Sequence, residues 1–474
     1  MDKVFEGLKP EIVWKHFDEI RKIPRCSKNE GKIREYVINF AKSKGLEYQV
    51  DEVGNVIIRK KASAGKENAP GVVLQAHLDM VCEKNSDVDF DFEKDAIRVK
   101  REDGWITADG TTLGADNGIG VAAALAVLED DSIEHGPLEV LLTVDEETGL
   151  TGASNLKPGF LRGKYLLNLD SEDEGVFFIG CAGGRDTIFR MKITRIRGSG
   201  KSFEVKVSGL KGGHSGVDIH LQRGNAIRIL SRVLYEIGDP KISLIDGGNK
   251  RNAIPREARA IIFADENKVK DAVEKVLSEV KEELQYSDPG VKIEYSPYEA
   301  NEYIEESKKI IDFLMSLPHG VLAMSLAMKG LVETSTNLAV VKTHDSFVEI
   351  IESSRSSINS SLNFVCKQLK AHGDLAGAET EQPEGYPGWT PKPESRILNI
   401  MKNVYKRLFG KEPEVTAIHA GLETGIIGKN YPDMEMISFG PTIKYPHSPD
   451  EKVEIESVEK FWKLLVETLK ELSR

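Results

Sequence analysis

Gly71-Val72-Val73-Leu74-Gln75-Ala76-His77-Leu78-Asp79 is the stretch from which the rest of the chain can be read. Behind Pro70-Gly71, the apolar run at residues 72–74 predicts a short buried strand of an α/β sheet. The run breaks at His77, with Asp79 two positions on. In open α/β sheets, chemistry gathers just beyond the carboxyl ends of strands. A histidine placed there can bind a metal through one ring nitrogen while a neighbouring carboxylate fixes its tautomer. The spacing alone is weak, since His372-Gly373-Asp374 repeats it yet comes after a polar helix end and reads as a loop. His77-x-Asp79 gains its weight from the acids and the second histidine placed later in the chain.

At 474 residues the chain exceeds the usual size of one domain, so two or three are expected. With 40% hydrophobic and 30% charged residues, the composition is that of an ordinary soluble protein. The net charge of -12 and the lack of a basic run speak against a nucleic-acid partner. The acidic N-terminus lacks an apolar signal region, and no uninterrupted apolar stretch of about 18 residues predicts a membrane span. Cys26, Cys82, Cys181 and Cys366 are far apart without a C-x-x-C, a pattern that fits free thiols in a reducing cytoplasm. A cytoplasmic location is therefore expected.

The first 185 residues alternate helix and strand. Helices are predicted before residue 45, a hairpin at 48–58, and a second at 96–107. A compact Ala- and Gly-rich helix is predicted at 117–128, with apolar strands at 138–144 and 165–169. This order indicates an α/β domain with a mixed, mostly parallel sheet. From Gly183-Gly184 the style changes. Strands at 203–207, 242–244, 258–263, 291–295, 338–342 and 347–351 share a segment with amphipathic helices at 224–237, 268–285 and 356–370, which suggests a separate α+β domain. The Pro- and Gly-rich segment 380–393 reads as a hinge. After it, helices at 395–409 and 455–472 and strands at 415–418 and 434–439 return to the first style. The expected organisation is a catalytic domain (1–185), an inserted α+β lid (186–385), and completion of the catalytic domain (386–474).

Four further positions repeat the logic of His77. Asp116 lies in Leu113-Gly114-Ala115-Asp116-Asn117-Gly118, before the Ala-rich helix; an N-cap is the ordinary reading, but the flanking glycines also let backbone approach an ion. Asp145-Glu146-Glu147 comes directly after a buried strand, where three carboxylates repel one another and need cations. Asp170 ends the 165–169 strand, and His447 lies in Tyr445-Pro446-His447-Ser448-Pro449, after another. Together they supply two histidines and three or four carboxylates, a set that suits two divalent ions such as zinc with one carboxylate shared. Paired ions can acidify a bridging water and polarise a carbonyl, and one acid should remain free as general base.

The motifs His77-x-Asp79, Gly114-x-Asp116-Asn117-Gly118, Glu146-Glu147-x-Gly149, Asp170 and His447, taken in order, resemble those of the M20 metallopeptidase family. The resemblance covers nearly the whole chain. It is strongest to the aminoacyl-histidine dipeptidase branch, through Ala76-His77-Leu78-Asp79-Met80-Val81, Thr111-Thr112-Leu113-Gly114-Ala115-Asp116-Asn117 and His419-Ala420-Gly421-Leu422-Glu423. It implies a zinc-exopeptidase fold in which Asp116 bridges two ions, His77 and Asp170 complete one site, and Glu147 and His447 the other. It makes Glu146 the general base, a choice over Glu147 that physical reasoning does not make, and Asp79 the support of His77. In the lid it implies that His214, in Gly212-Gly213-His214-Ser215-Gly216, donates to the oxyanion. Asn252 would bond substrate, Arg355 would clamp its α-carboxylate, and Gly421 would line the pocket. His16, His135 and His319 read as histidines without a duty.

The implied activity is hydrolysis of dipeptides, Xaa-His among them, by a homodimer that pairs through the lid. Zinc is the expected ion, with cobalt or manganese as substitutes. Three other readings stand beside it: an N-acyl amino acid deacylase or tripeptide aminopeptidase on the same fold, a silent metal- or peptide-binding protein, and a dinuclear phosphoesterase.

Overall fold

The computed structural model describes all 474 residues as two compact units. One comprises residues 1–180, 391–417 and 422–474; the other comprises 181–390 with 418–421. The sequence placed these junctions at 185/186 and 385/386 and left 418–421 with the last segment. Both junctions fall where they do because Cys181 bridges Trp389 and Gly184 bridges Tyr386 in antiparallel pairs. The segment read as a hinge is thereby hydrogen-bonded to a strand, and Glu379–Glu381 adds a further rung.

The first unit is built on an eight-stranded sheet in the order Glu47–Val50, Val56–Lys60, Leu138–Thr143, Val72–His77, Tyr165–Asn168, Glu435–Ser438, Val176–Cys181, Glu414–Ile418. Its centre is parallel: Val72–His77 lies between Leu138–Thr143 and Tyr165–Asn168, and the last of these pairs in parallel with Glu435–Ser438. The flanks run antiparallel. Strands buried on both faces read as continuous apolar runs, and Val72–His77 and Leu138–Thr143 are buried at every position. The parallel register sets His77 opposite Thr143 and Gln75 opposite Asn168. The segments that leave these strands therefore emerge along one edge. Helix Ala115–Glu129 packs on the central strand and on Glu11–Ile20, and its residues 115–128 are all buried. Its alanines and glycines let it approach that closely.

The second unit carries a nine-stranded antiparallel sheet. Its core joins Phe189, Val205, Ile262 and Leu338 of the strands to Leu230 and Val233 of helix Ala226–Ile237. The second unit departs from the sequence reading in several places. Strand Gly183–Lys192 and helix Ser307–Ser316 were not anticipated. The strand expected at 347–351 runs on through Ser356, so Arg355 is a strand residue, and the helix after it begins at Asn359. His372-Gly373-Asp374 lies inside that helix rather than in a loop. Gly373 is required there by packing, since a Cβ would run into the Thr380 hydroxyl and meet the Phe189 ring at 3.0 Å.

The cysteines also correct the sequence reading. Cys26 and Cys82 form a disulfide, while Cys181 and Cys366 are buried. Wide separation in sequence gave no hint of the pair, because the backbone of Cys26 bridges Met80 and brings the two together. No helix is long and apolar enough to cross a membrane.

Candidate metal centre

Five of the predicted residues meet at the edge where the parallel strands end. His77 Nε2 lies 3.1 Å from Asp116 Oδ1 and 3.2 Å from Asp170 Oδ1. His447 Nε2 lies 3.2 Å from Asp116 Oδ2 and 2.8 Å from Glu147 Oε2. Asp116 thus turns one oxygen to each histidine–carboxylate pair. The ligand atoms of His77, Asp116 and Asp170 fall within 4.8 Å of one another, as do those of Asp116, Glu147 and His447. Glu146 joins His77 and Glu147 in a third such group.

The chain reaches this arrangement through local geometry. Asp116 opens the Ala-rich helix with non-helical backbone and caps nothing, so the N-cap reading does not hold. Asn117 donates from Nδ2 to the Leu169 carbonyl at 2.8 Å, which ties the Asp116 segment to the Asp170 strand end. Asp145 adopts φ +50° and takes the Thr148 and Thr151 hydroxyls, so it stands apart from the ligand atoms. That turn aims the Glu146 and Glu147 N–H groups at Asp79, at 3.1 and 3.2 Å. Asp79 also accepts from Ser27 Oγ at 2.7 Å and sits 3.3 Å from His77 Nδ1. A carboxylate beside Nδ1 holds the proton there and leaves the Nε2 lone pair for a metal. Beneath the ligands runs a buried polar chain, in which Gln75 joins Asn168 and Glu423, and Glu423 also accepts from Thr143 Oγ1 at 2.8 Å.

The electrostatics are those of a site that wants cations. Burial pushes Asp170 up to about 6, assisted by Asp116 and Glu147 and opposed by His77. Burial likewise pushes Glu146 well above the ordinary carboxylate value, with Asp170, Glu423 and Glu147 adding to it and His77 opposing. Burial would raise Asp116 too, but hydrogen bonds from His447 and His77 hold it low. Hydrogen bonds to Asp116 and Glu147 lift His447 to about 11. Against burial, Asp170 and Asp116 keep His77 well above the ordinary imidazole value. Crowded carboxylates here recruit protons onto two histidines, and divalent ions satisfy the same demand when those protons leave. Glu147 Oε1 is buried without a hydrogen-bond partner, as an acceptor atom awaiting a cation would be. Two histidine nitrogens among three carboxylates make a donor set that fits zinc or a similar ion.

The remaining predicted residues belong to the second unit. His214 Nδ1 accepts from the N–H groups of Gly216 and Val217, each at 3.2 Å, which leaves Nε2–H to donate. Burial and Arg355 lower its pKa, so the ring stays neutral. Arg355 is 7% exposed, its Nη1 donates to the Tyr386 hydroxyl at 2.9 Å, and its Nε has no partner. Arg355 and Asn252 line one cavity of about 750 Å³ with Tyr386 and Arg185. Gly421 packs on the Tyr386 ring, where a Cβ would come within 2.7 Å. Sequence reasoning missed Tyr386, Arg25, Ser27 and Glu451, none of which belongs to a motif with a chemical signature, and it gave no role to Glu423 although its stretch carries the resemblance. Of the three histidines read as idle, His16 pairs with Glu129 at 2.8 Å and His319 with Asn225 at 3.2 Å, and His135 is buried.

Comparison with known proteins places this geometry among peptidases. The model of peptidase family M20/M25/M40 matches residues 73–471. The chain is 45% identical, over 98% of both sequences, to the cytosol non-specific dipeptidase of Escherichia coli K12. It superposes with a TM-score of 0.92 on the aminoacylhistidine dipeptidase of Vibrio alginolyticus, at 43% identity over 98% of this chain and 97% of that one. An aminopeptidase PepT from Bacillus cereus shares the fold at 17% identity, with a TM-score of 0.59 over 98% of this chain and all of that one.

Proposed function

This chain belongs to peptidase family M20/M25/M40, and from that premise we propose that it is a metal-dependent dipeptidase acting on unblocked dipeptides, Xaa-His among them. His77, Asp170 and Asp116 Oδ1 would hold one ion, and Glu147, His447 and Asp116 Oδ2 the other. Zinc suits these donors, with cobalt or manganese able to replace it. Such a pair, when bound, acidifies water and polarises the scissile carbonyl. Glu146 takes the proton of the attacking water on its carboxylate and passes it to the leaving nitrogen. Its buried, acid-crowded setting makes it a stronger base than a solvated glutamate. Asp79 fixes the His77 ring.

In the second unit, His214 Nε2–H is suited to donate to the developing oxyanion, and the Arg355 guanidinium to hold the substrate α-carboxylate. Asn252 and Gly421 would complete the substrate site. The observation that carries the proposal is the division of Asp116 between two histidine–carboxylate pairs. The test is a panel of dipeptides, tripeptides and N-acetyl amino acids, offered to protein loaded with zinc, cobalt or manganese, with the products identified. Cleavage of the dipeptides is expected. Strong preference for the acylated set overturns the reading, and no hydrolysis with any ion leaves a binding protein only. We assign the protein to the cytoplasm, as the name of the E. coli relative suggests, and to a homodimer formed through the second unit. Light scattering that gives a monomer refutes the dimer.

A further inference from the structure

His447 and Glu451 sit at the two ends of one tight turn. Glu451 N–H donates to the Ser448 carbonyl at 3.0 Å, Asp450 N–H donates to Ser448 Oγ at 3.2 Å, and His447 adopts φ +61°. From one end of the turn, His447 Nε2 faces Asp116 Oδ2 at 3.2 Å. From the other end, Glu451 Oε1 accepts the Asp116 N–H at 3.1 Å, while Oε2 accepts those of Leu113 at 2.7 Å and Gly114 at 2.8 Å. The turn therefore grips Asp116 by its carboxylate and by its amide. On the other side, Arg25 donates to the carbonyls of Leu78 at 3.1 Å, Asp79 at 2.7 Å, and Gly114. Gly114 is held at its N–H by Glu451 and at its C=O by Arg25. With φ +70°, and with Arg25 Nη2 2.5 Å from where a Cβ would lie, only glycine fits.

Arg25 and Glu451 are each 2% exposed, and neither belongs to the ligand groups around His77 and His447. Burying a guanidinium and a carboxylate is costly, and apolar side chains would fill the same space more cheaply. What the two groups supply is six directed hydrogen bonds with the backbone of the segments that carry Asp79 and Asp116, three of them made by a carboxylate on the His447 turn. We infer that Glu451 and Arg25 are positioning residues that hold Asp116 between two ion sites, so that each of its oxygens serves one. This rests on the two-ion reading of the site. Without Glu451 the Asp116 segment and the His447 turn lose their common anchor. The pair Glu147–His447 then suffers first, since both its shared ligand and its histidine are freed. His77, buried in a strand, keeps its place.

The test is manganese titration of the full chain, followed by electron paramagnetic resonance, for wild type, Glu451→Ala and Glu451→Gln. The glutamine keeps the volume but turns an N–H donor toward backbone N–H donors. Wild type should take up two ions per chain with the signal of a spin-coupled pair. In both variants the first ion should bind nearly as in wild type and the second about 10- to 100-fold more weakly, with the coupled signal replaced by that of isolated ions. Turnover should fall with KM little changed. A thermal midpoint measured alongside shows which variants are folded, and Glu451→Gln carries the test if Glu451→Ala is not. Folded variants that bind two ions with wild-type affinities and an intact coupled signal overturn the inference, whatever happens to their midpoints. Wild type that takes up no manganese, zinc or cobalt refutes the two-ion reading instead.

Discussion

At the scale of single residues, Glu146 and Glu147 are adjacent in sequence and opposite in expected consequence. Glu147 Oε2 meets His447 at 2.8 Å, so its removal takes a ligand from the centre. Glu146 lends no atom to either set around Asp116, and the proposed function gives it the proton instead. Glu146→Ala should therefore lower kcat by about 10²- to 10⁴-fold, the usual worth of a positioned acid–base. The metal content per chain, measured by elemental analysis, should stay unchanged. Loss of bound metal in that variant would show Glu146 to be a ligand. Composition and spacing do not separate the two and only the family resemblance does; in the fold, the φ +50° turn at Asp145 brings both N–H groups to Asp79, and Glu147 alone joins Asp116 and His447.

At the scale of elements, the way segments are fastened makes two expectations measurable. The Cys26–Cys82 disulfide closes a loop across 56 positions and joins the stretch between helices Glu11–Ile20 and Gly31–Ser43 to the segment after the His77 strand. Loop closure of that length is worth about 4 kcal/mol in the chain-entropy account. Reduction, or Cys26→Ser, should lower the thermal midpoint by several degrees, and a midpoint indifferent to dithiothreitol would remove the disulfide from the account of stability. The second expectation concerns Glu352, buried in strand Phe347–Ser356. It accepts Thr336 Oγ1 at 2.7 Å on Oε2, while Oε1 has no partner. Burial pushes its carboxyl from 4.5 up to about 8, against the Thr336 hydrogen bond and Arg228. The folded state thus favours the neutral acid. The stability this confers is complete below about pH 4.5, declines as pH rises, and is gone above about pH 8. The midpoint of wild type minus that of Glu352→Gln should fall between about pH 5 and 8 and then level off. A difference flat across that range would mean that the carboxyl titrates normally. Elements differed in how legible they were. Residues 72–74 announce their strand by an apolar run, whereas Gly183–Lys192 opens on two glycines and hides its period-two burial of Thr187, Phe189 and Met191 among charged residues.

At the scale of the whole molecule, the crowding of Asp116, Glu147 and Asp170 at one strand edge couples ion binding to stability. Dialysis against a chelator should abolish peptide hydrolysis and lower the midpoint of the first unit, and zinc, cobalt or manganese should restore both. At an ion concentration about 100 times the dissociation constant, the gain is about 2.7 kcal/mol. A midpoint unmoved by chelator, in protein shown to lose its metal, would contradict this coupling. By itself the sequence determined which residue types could do chemistry and roughly where strands would deliver them. A histidine or acid after an apolar run is a local pattern, and buried strands write that pattern directly into the chain. Only the tertiary structure decided which oxygen of Asp116, already the shared carboxylate by resemblance, faces which histidine, that Asp145 turns away, and that Arg25 and Glu451 hold the frame. Those are relations between segments tens to hundreds of positions apart, made by hydrogen bonds to backbone groups that every residue possesses, and composition and spacing carry no trace of them.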